Sequence, residues 1–140
     1  MGLVRGAVVE KAYEIMGSMI SIAAFALFAP ALYTPDAVCL LDREQGLLFT
    51  GDTYYPGPIY LFGPGTDLEA YGTSVRRIAE LAPQVKIVLG AHNVPTALPS
   101  ILPQLVSAFE AVRAGKIRPA EASSGRVLYK VGEISFRMKP

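Results

Sequence analysis

The chain has 140 residues, enough for one domain that buries roughly two-thirds of the surface its unfolded form exposes. Thirteen lysines and arginines stand against twelve acids, for a formal net charge of +1. No long basic run supplies the concentrated field that neutralising nucleic-acid phosphates requires, so that class of partner is excluded. An apolar share of 51% and a mean hydropathy of +0.36 are high for a domain in water. Either more than one face of the fold is buried, or part of the chain meets a membrane or a partner. Cys39 is the single cysteine, which excludes an intrachain disulfide and fits a reducing compartment, and the cytoplasm is the expected location.

The first thirty residues differ in character from the rest. Residues 15–29 read "IMGSMISIAAFALFA", without a charge, and Pro30 closes the run. As a helix it would rise ~22 Å, short of the ~30 Å hydrocarbon core of a bilayer. Extension backwards meets Glu14, Lys11 and Glu10, which are costly at membrane depth. Ala29-Pro30-Ala31 offers small residues at cleavage-like spacing, yet Glu10 and Glu14 weaken the positive leader that a signal peptide needs. Three readings stay open: a buried apolar helix, a segment for membrane association or export, and a poorly folded stretch. The chain accordingly divides into an apolar helical segment, 1–30, and a second segment, 31–140.

Beyond Pro30 the signals become regular. Thr34-Pro35-Asp36 is turn chemistry. Residues 37–41 form a short apolar strand, "DREQG" a reverse connection and residues 47–50 a second strand, together a hairpin. A Pro-Gly loop comes next, holding Tyr54, Tyr55, Tyr60 and Phe62. Thr66 stands three residues before Glu69, the spacing of a reciprocal helix cap. Leu68, Tyr71, Val75, Ile78 and Ala82 then recur on one helical face, with Arg76, Arg77 and Glu80 on the solvated side and Pro83 as the stop. "KIVL", 86–89, is a β-branched strand ending at Gly90. A second helix starts near Ser100, tolerates Pro103 in its first turn and ends at Gly115. The tail, "RVLYK" and "EISFRM" about Val131-Gly132, is a closing hairpin. The predicted order is ββαβαββ, preceded by the apolar helix, an α/β (α+β layered) architecture without repeats.

Two strands end in polar residues. Asp52 comes after the strand 47–50 in "LLFTGDTYYPG", and His92, the only histidine, after the strand 86–89 in "LGAHN". Strand ends are where layered α/β folds position function. A carboxylate and an imidazole brought there by neighbouring strands could share a metal ion; otherwise Asp52 caps a turn and His92 bonds within its loop.

The stretch "YTPDAVCLLDREQGLLFTGDTYYPGPIYLFGPGTDLEAY", with "VLGAHN" after it, resembles the C-terminal half of metallo-β-lactamase-fold hydrolases. The resemblance covers about 32–140 and implies half of that family's αββα sandwich. It implies metal-dependent hydrolysis of an ester, thioester, amide or phosphodiester bond in a small-molecule substrate, with zinc as the metal. In the family the strand-end Asp of the "GD" motif and the His of a later "GH"-like motif bind the metals, and these match Asp52 and His92. The family's HxHxDH motif is absent here, since the chain has one histidine. Where the family places a further His, in a "GHTPD"-like turn, this sequence reads "ALYTPD", with Tyr33 at the ligand position. A neutral phenol with a pKa near ~10 is a poor zinc ligand. Asp36 reads better as a turn cap and Cys39 as core packing than as replacement ligands. Catalytic zinc takes three protein ligands and a water; with two, the expected enzyme is truncated, and weakly active or inactive alone. The site is thus Asp52 and His92 on the metal side, with Tyr33, Tyr54, Tyr55, Tyr60 and Asn93 as substrate-side candidates. The competing expectation is a non-catalytic binding or assembly module that lines an apolar pocket with the same tyrosines.

A half-sandwich also leaves one sheet face apolar and uncovered, which is costly at ~25 cal/mol per Å². The N-terminal segment folding across, a homodimer, or a complementary chain would each relieve it, and association of one of the latter two kinds is expected.

Overall fold

The computed structural model describes residues 27–29 and 37–140. Its elements are β1 (Leu27–Ala29), β2 (Ala37–Asp42), β3 (Leu47–Gly51), β4 (Gly57–Leu61), α1 (Leu68–Glu80), β5 (Ile87–Gly90), β6 (Thr96–Ala97), α2 (Ile101–Arg113), β7 (Glu121–Ser123), β8 (Arg126–Val131) and β9 (Ile134–Met138). A 3-10 turn, Ala82–Gln84, separates α1 from β5. One sheet has the order β1-β2-β3-β5-β6, the other β4-β9-β8-β7. The mixed α/β architecture is the expected one, and the ββαβαββ series survives as β2, β3, α1, β5, α2, β8 and β9.

Four short strands were not legible, and two of them correct explicit expectations. Leu27–Ala29 were expected to end a helix; they are extended and pair antiparallel with β2, Leu27 beside Cys39 and Ala29 beside Ala37. The free edge of β2 gives their amides and carbonyls partners that a helix end would lack. The rest of the predicted apolar helix, Tyr33 and the turn at Asp36 lie outside the described residues. The tyrosine-rich loop contains β4, which runs parallel to β9. Its Pro58 hid it, because proline cannot donate to a ladder; β4 lies at the sheet's edge, where proline is tolerated. β6 and β7 have two and three residues, too few to show a period.

The hairpin β2–β3 closes through Asp42, whose side chain accepts from the Gln45 amide at 3.0 Å and whose carbonyl accepts from Gly46 N at 2.9 Å. In α1 the expected stripe is buried at Tyr71, Val75 and Ile78. Its cap is different. Asp67, not Thr66, accepts from Glu69 N at 2.9 Å and Ala70 N at 3.0 Å, because a carboxylate there also meets the positive end of the helix dipole. Thr66 Oγ1 is left buried without a hydrogen-bond partner. The helix α2 stops as expected at Gly115, whose amide bonds the Val112 carbonyl at 3.0 Å while Lys116 N reaches Ala111 O at 3.0 Å.

Both helices and both sheets contribute to one core. At its centre Tyr71 of α1, Phe109 of α2 and Phe136 of β9 meet edge to face, with ring centroids 4.8 Å (Tyr71–Phe109) and 5.7 Å (Phe109–Phe136) apart, an arrangement that adds to area burial. Phe136 is fully buried. Phe136→Ala should therefore cost about 3–5 kcal/mol of unfolding free energy, read as a drop in the urea midpoint without a change in slope.

Candidate active site

The pair β3 and β5 is parallel, with Leu47 opposite Ile87, Leu48 opposite Val88 and Phe49 opposite Leu89. Parallel strands point their carboxyl ends the same way, so the residues after each emerge side by side. A register shift at the end of β3 then pairs Gly51 with Gly90 and leaves Thr50 as the extra residue. Such a bulge turns the strand and re-aims the residues beyond it. Gly51 takes φ of +53°, a conformation that costs glycine little. The Thr50 side chain, fully buried, donates to the Tyr54 carbonyl at 2.7 Å, and its oxygen also lies 3.2 Å from the Leu89 carbonyl.

Several contacts hold the two strand-end loops together. Ala91 N donates to Gly51 O at 3.3 Å. Tyr71, fully buried in α1, donates its hydroxyl to the Thr53 carbonyl at 3.0 Å. Asn93, at φ +59°, donates its side-chain amide to the Pro56 carbonyl at 2.8 Å. At Gly90 a Cβ would stand 2.8 Å from Tyr55 Cβ and 2.9 Å from the Tyr54 carbonyl oxygen. Only a glycine lets the 53–55 turn sit this close to the end of β5.

The outcome is contact between the two predicted strand-end residues. His92 Nε2 lies 2.9 Å from Asp52 Oδ1, with both side chains roughly half exposed. The Tyr55 ring meets the imidazole edge to face at a centroid distance of 5.0 Å. Asp52, Tyr55, Pro58, Tyr60, His92 and Asn93 line an open cavity of about 430 Å³. Of the substrate-side candidates, then, Tyr55, Tyr60 and Asn93 gather around Asp52 and His92. Tyr55 is nearly buried, its hydroxyl given to the Pro58 carbonyl at 2.8 Å, whereas Tyr60 is exposed. Tyr54 does not join them: it is buried on the far side of the turn and lines a separate cleft with Val94, Leu98 and Glu133. The supports Thr50, Tyr71 and Gly90 were not anticipated as parts of the site. A tyrosine in a helix's apolar stripe is the one signal that pointed to any of them, since its hydroxyl must find a partner.

The donor set does not by itself fit a catalytic zinc. Among the described residues no group of three or more His, Cys, Asp or Glu side chains converges. Two ligand atoms of a tetrahedral zinc stand about 3.3 Å apart, so the 2.9 Å pair would open by a few tenths of an ångström to share an ion. Cys39 adds nothing. It is buried in the core, its thiol directed at Thr53 Oγ1 (3.5 Å) and Thr50 O (3.7 Å), and burial raises its pKa above the ordinary 9.0.

Comparison with solved structures bears on the fold. A metallo-β-lactamase from Pontibacter korlensis superposes with a TM-score of 0.50 and 20% identity, over 62% of this chain and 40% of that one. A metallo-β-lactamase family protein from Thermus thermophilus gives a TM-score of 0.50 and 17% identity, over 64% of this chain and 31% of that one. The fold is therefore that of part of a metallo-β-lactamase domain, and the chain spans less than half the length of either neighbour. No protein-family model and no curated protein sequence matches the chain.

Two substitutions test how the loops are held. Gly90→Ala should destabilise by about 1–3 kcal/mol and shift the imidazole NMR signals of His92, because the Tyr54–Tyr55 backbone must retreat from the new methyl. Tyr71→Phe should cost about 1–3 kcal/mol, since the Thr53 carbonyl loses its partner. Burial holds the Tyr71 phenol well above the ordinary 10.0. Its contribution is complete below pH 10 and is lost as pH rises beyond that, when the unfolded chain ionises first. The alkaline fall in wild-type stability should thus be shallower in Tyr71→Phe.

Proposed function

We propose that this chain carries the Asp/His part of a metal-dependent hydrolase centre and that alone it is, at most, a weak hydrolase. The observation that carries this reading is the meeting of Asp52 and His92 at 2.9 Å, in the lining of the 430 Å³ cavity and at the carboxyl ends of adjacent parallel strands. A carboxylate oxygen and an imidazole nitrogen are suitable ligands for zinc. Two donors can hold an ion weakly and leave most of its positions to water. They do not fix the geometry on which catalysis depends, so no hydrolytic step is assigned to this chain's residues acting alone. The remaining ligands of a working centre would come from outside the described residues.

The residues around the pair have roles that do not depend on the ion. The Tyr55 ring limits the swing of the imidazole. Asn93 ties the His92 loop to Pro56. Tyr60 and Pro58 offer the cavity an apolar wall, suited to the uncharged part of a small substrate. That wall also favours a second reading, a binding module that keeps the pocket without chemistry.

Metal analysis after dialysis separates the readings. Purified chain should retain well under one zinc per monomer. Weak zinc or cobalt binding should disappear in Asp52→Ala and His92→Ala, with ester turnover near background. One or two ions held tightly by each monomer would overturn the half-centre reading. Thermal stabilisation by small apolar ligands that persists in Asp52→Ala, with no turnover, would favour the binding module.

A further inference from the structure

On the far side of the 53–55 turn from Asp52 and His92, Tyr54 lines a second cavity, of about 430 Å³, a size suited to a small organic molecule. Its ring belongs to the core, and the residue is only 3% exposed. A phenol buried to that degree ordinarily gives its hydroxyl to a partner. Tyr71 and Tyr55 do so, to the Thr53 and Pro58 carbonyls. The Tyr54 side chain makes no hydrogen bond among the described residues. Its neighbour in the lining is Glu133, exposed in the tight turn between β8 and β9, where Gly132 takes φ of +60° and Val131 pairs with Ile134. Burial, and after it the Glu133 charge, raise the Tyr54 pKa above the ordinary 10.0, so the field of that carboxylate reaches the phenol. Glu133 is the only charged residue among the described residues that line the cavity.

The wall opposite in character is aliphatic. Val94, 57% exposed, and Leu98, 73% exposed, are the two most exposed large apolar side chains among the described residues, and both line this cavity. They sit in the connection from β5 to α2, which its own backbone ties down. Thr96 pairs with Leu89 and Ala97 with Val88, and Gly90 N donates to Pro95 O at 3.1 Å. Two aliphatic side chains are thus held in water beside a cavity, a cost that an apolar ligand removes.

The first turn of α2 also reaches the cavity, through Ile101 and Gln104. A helix N-terminus ordinarily attracts an anion with its free amides, but here those donors are spent. Ile101 N donates to Leu98 O and Leu102 N to Pro99 O, each at 3.1 Å, and Pro103 has no N–H to give. What the cavity offers instead is acceptors, the Glu133 carboxylate and the Tyr54 hydroxyl oxygen foremost. An ammonium group, with three donors and a positive charge, is the complement of that set.

We propose that the cavity between Tyr54, Leu98 and Glu133 binds a small primary amine with an apolar body, its ammonium against Glu133 and the Tyr54 hydroxyl and its body against Val94 and Leu98. The proposal does not rest on the metal reading, because neither Asp52 nor His92 lines this cavity.

NMR titration of the full chain at pH 7 decides it, with phenethylamine as the probe and 2-phenylethanol and 3-phenylpropanoate as its neutral and anionic counterparts. Phenethylamine should give saturable shifts at Val94, Leu98, Gln104 and Glu133, and bind more tightly than either counterpart. Glu133→Gln, at an exposed position, should weaken it about tenfold or more. Tyr54→Phe should weaken it about threefold without lowering the thermal midpoint, because the hydroxyl it removes has no partner in the fold. Asp52→Ala should leave the affinity as it is. The proposal is overturned by equal binding of the alcohol, by preference for the carboxylate, or by shifts centred on Tyr55 and Tyr60 instead. Absence of a saturable shift, or affinity indifferent to Glu133→Gln, overturns it equally.

Discussion

The parallel pairing of β3 with β5 is the constraint on which the site depends. Parallel neighbours cannot be joined by a tight turn; they need a crossover that returns the chain to the same end. Here the crossover is β4, α1 and the 3-10 turn at Ala82–Gln84, so the aromatic strand, the Tyr71 helix and the loop that carries Asp52 are all parts of one connection. Were β5 antiparallel, Asp52 and His92 would leave opposite ends of the strand pair, more than ~13 Å apart for four-residue strands. They are in contact instead. Tyr71 joins the two consequences of the crossover: its ring packs on Phe109 in the core and its hydroxyl fixes the Thr53 carbonyl beside Asp52. Core packing and site geometry are therefore coupled through one side chain.

Legibility in the sequence depends on how each feature is encoded. Periodic apolar runs of useful length mark α1, α2, β2, β3, β5 and the β8–β9 hairpin, because their burial is one-sided or complete. Asp52 and His92 were legible as polar residues at strand ends, and strand-end logic alone brings them together. β4 was hidden by Pro58, whose meaning depends on the strand lying at an edge, a property of the sheet and not of the segment. β1 was hidden because the three residues 27–29 cannot show whether they continue an apolar helix or pair with an edge. The cap of α1 lay one residue along: Thr66 has the spacing of a reciprocal cap with Glu69, but Asp67, another favoured cap residue, takes the position. The separation of Tyr54 from Tyr55 is also unreadable locally, since adjacent tyrosines face opposite ways only once the turn is pressed against Gly90.

The site shows a division between positioning and chemistry. Much of the surrounding structure uses its hydrogen bonds to hold loops: Thr50 to Tyr54, Tyr71 to Thr53, Tyr55 to Pro58, Asn93 to Pro56. A rigid frame of this kind keeps a metal ligand within the narrow tolerance that coordination demands. The frame presents Asp52 and His92, and these meet each other. The two side chains lie against one another, so an incoming ion must part the 2.9 Å contact before it can use both. Two longer metallo-β-lactamase structures share part of this frame.

Geometry also sets that pair near the face of the five-stranded sheet on which Phe49 and Ile87 are exposed. Phe49 and Leu89 stand just before the strand ends that deliver Asp52 and His92, so anything covering that face lies close to the pair. Cover and ligand supply are nevertheless different demands. An apolar segment meets the first by removing Phe49 and Ile87 from water, whatever its side chains. The second requires nitrogen, oxygen or sulfur donors at the rim. Hydrophobic burial, which is non-directional, can be satisfied by any apolar cover, whereas coordination, which counts donors and their angles, cannot.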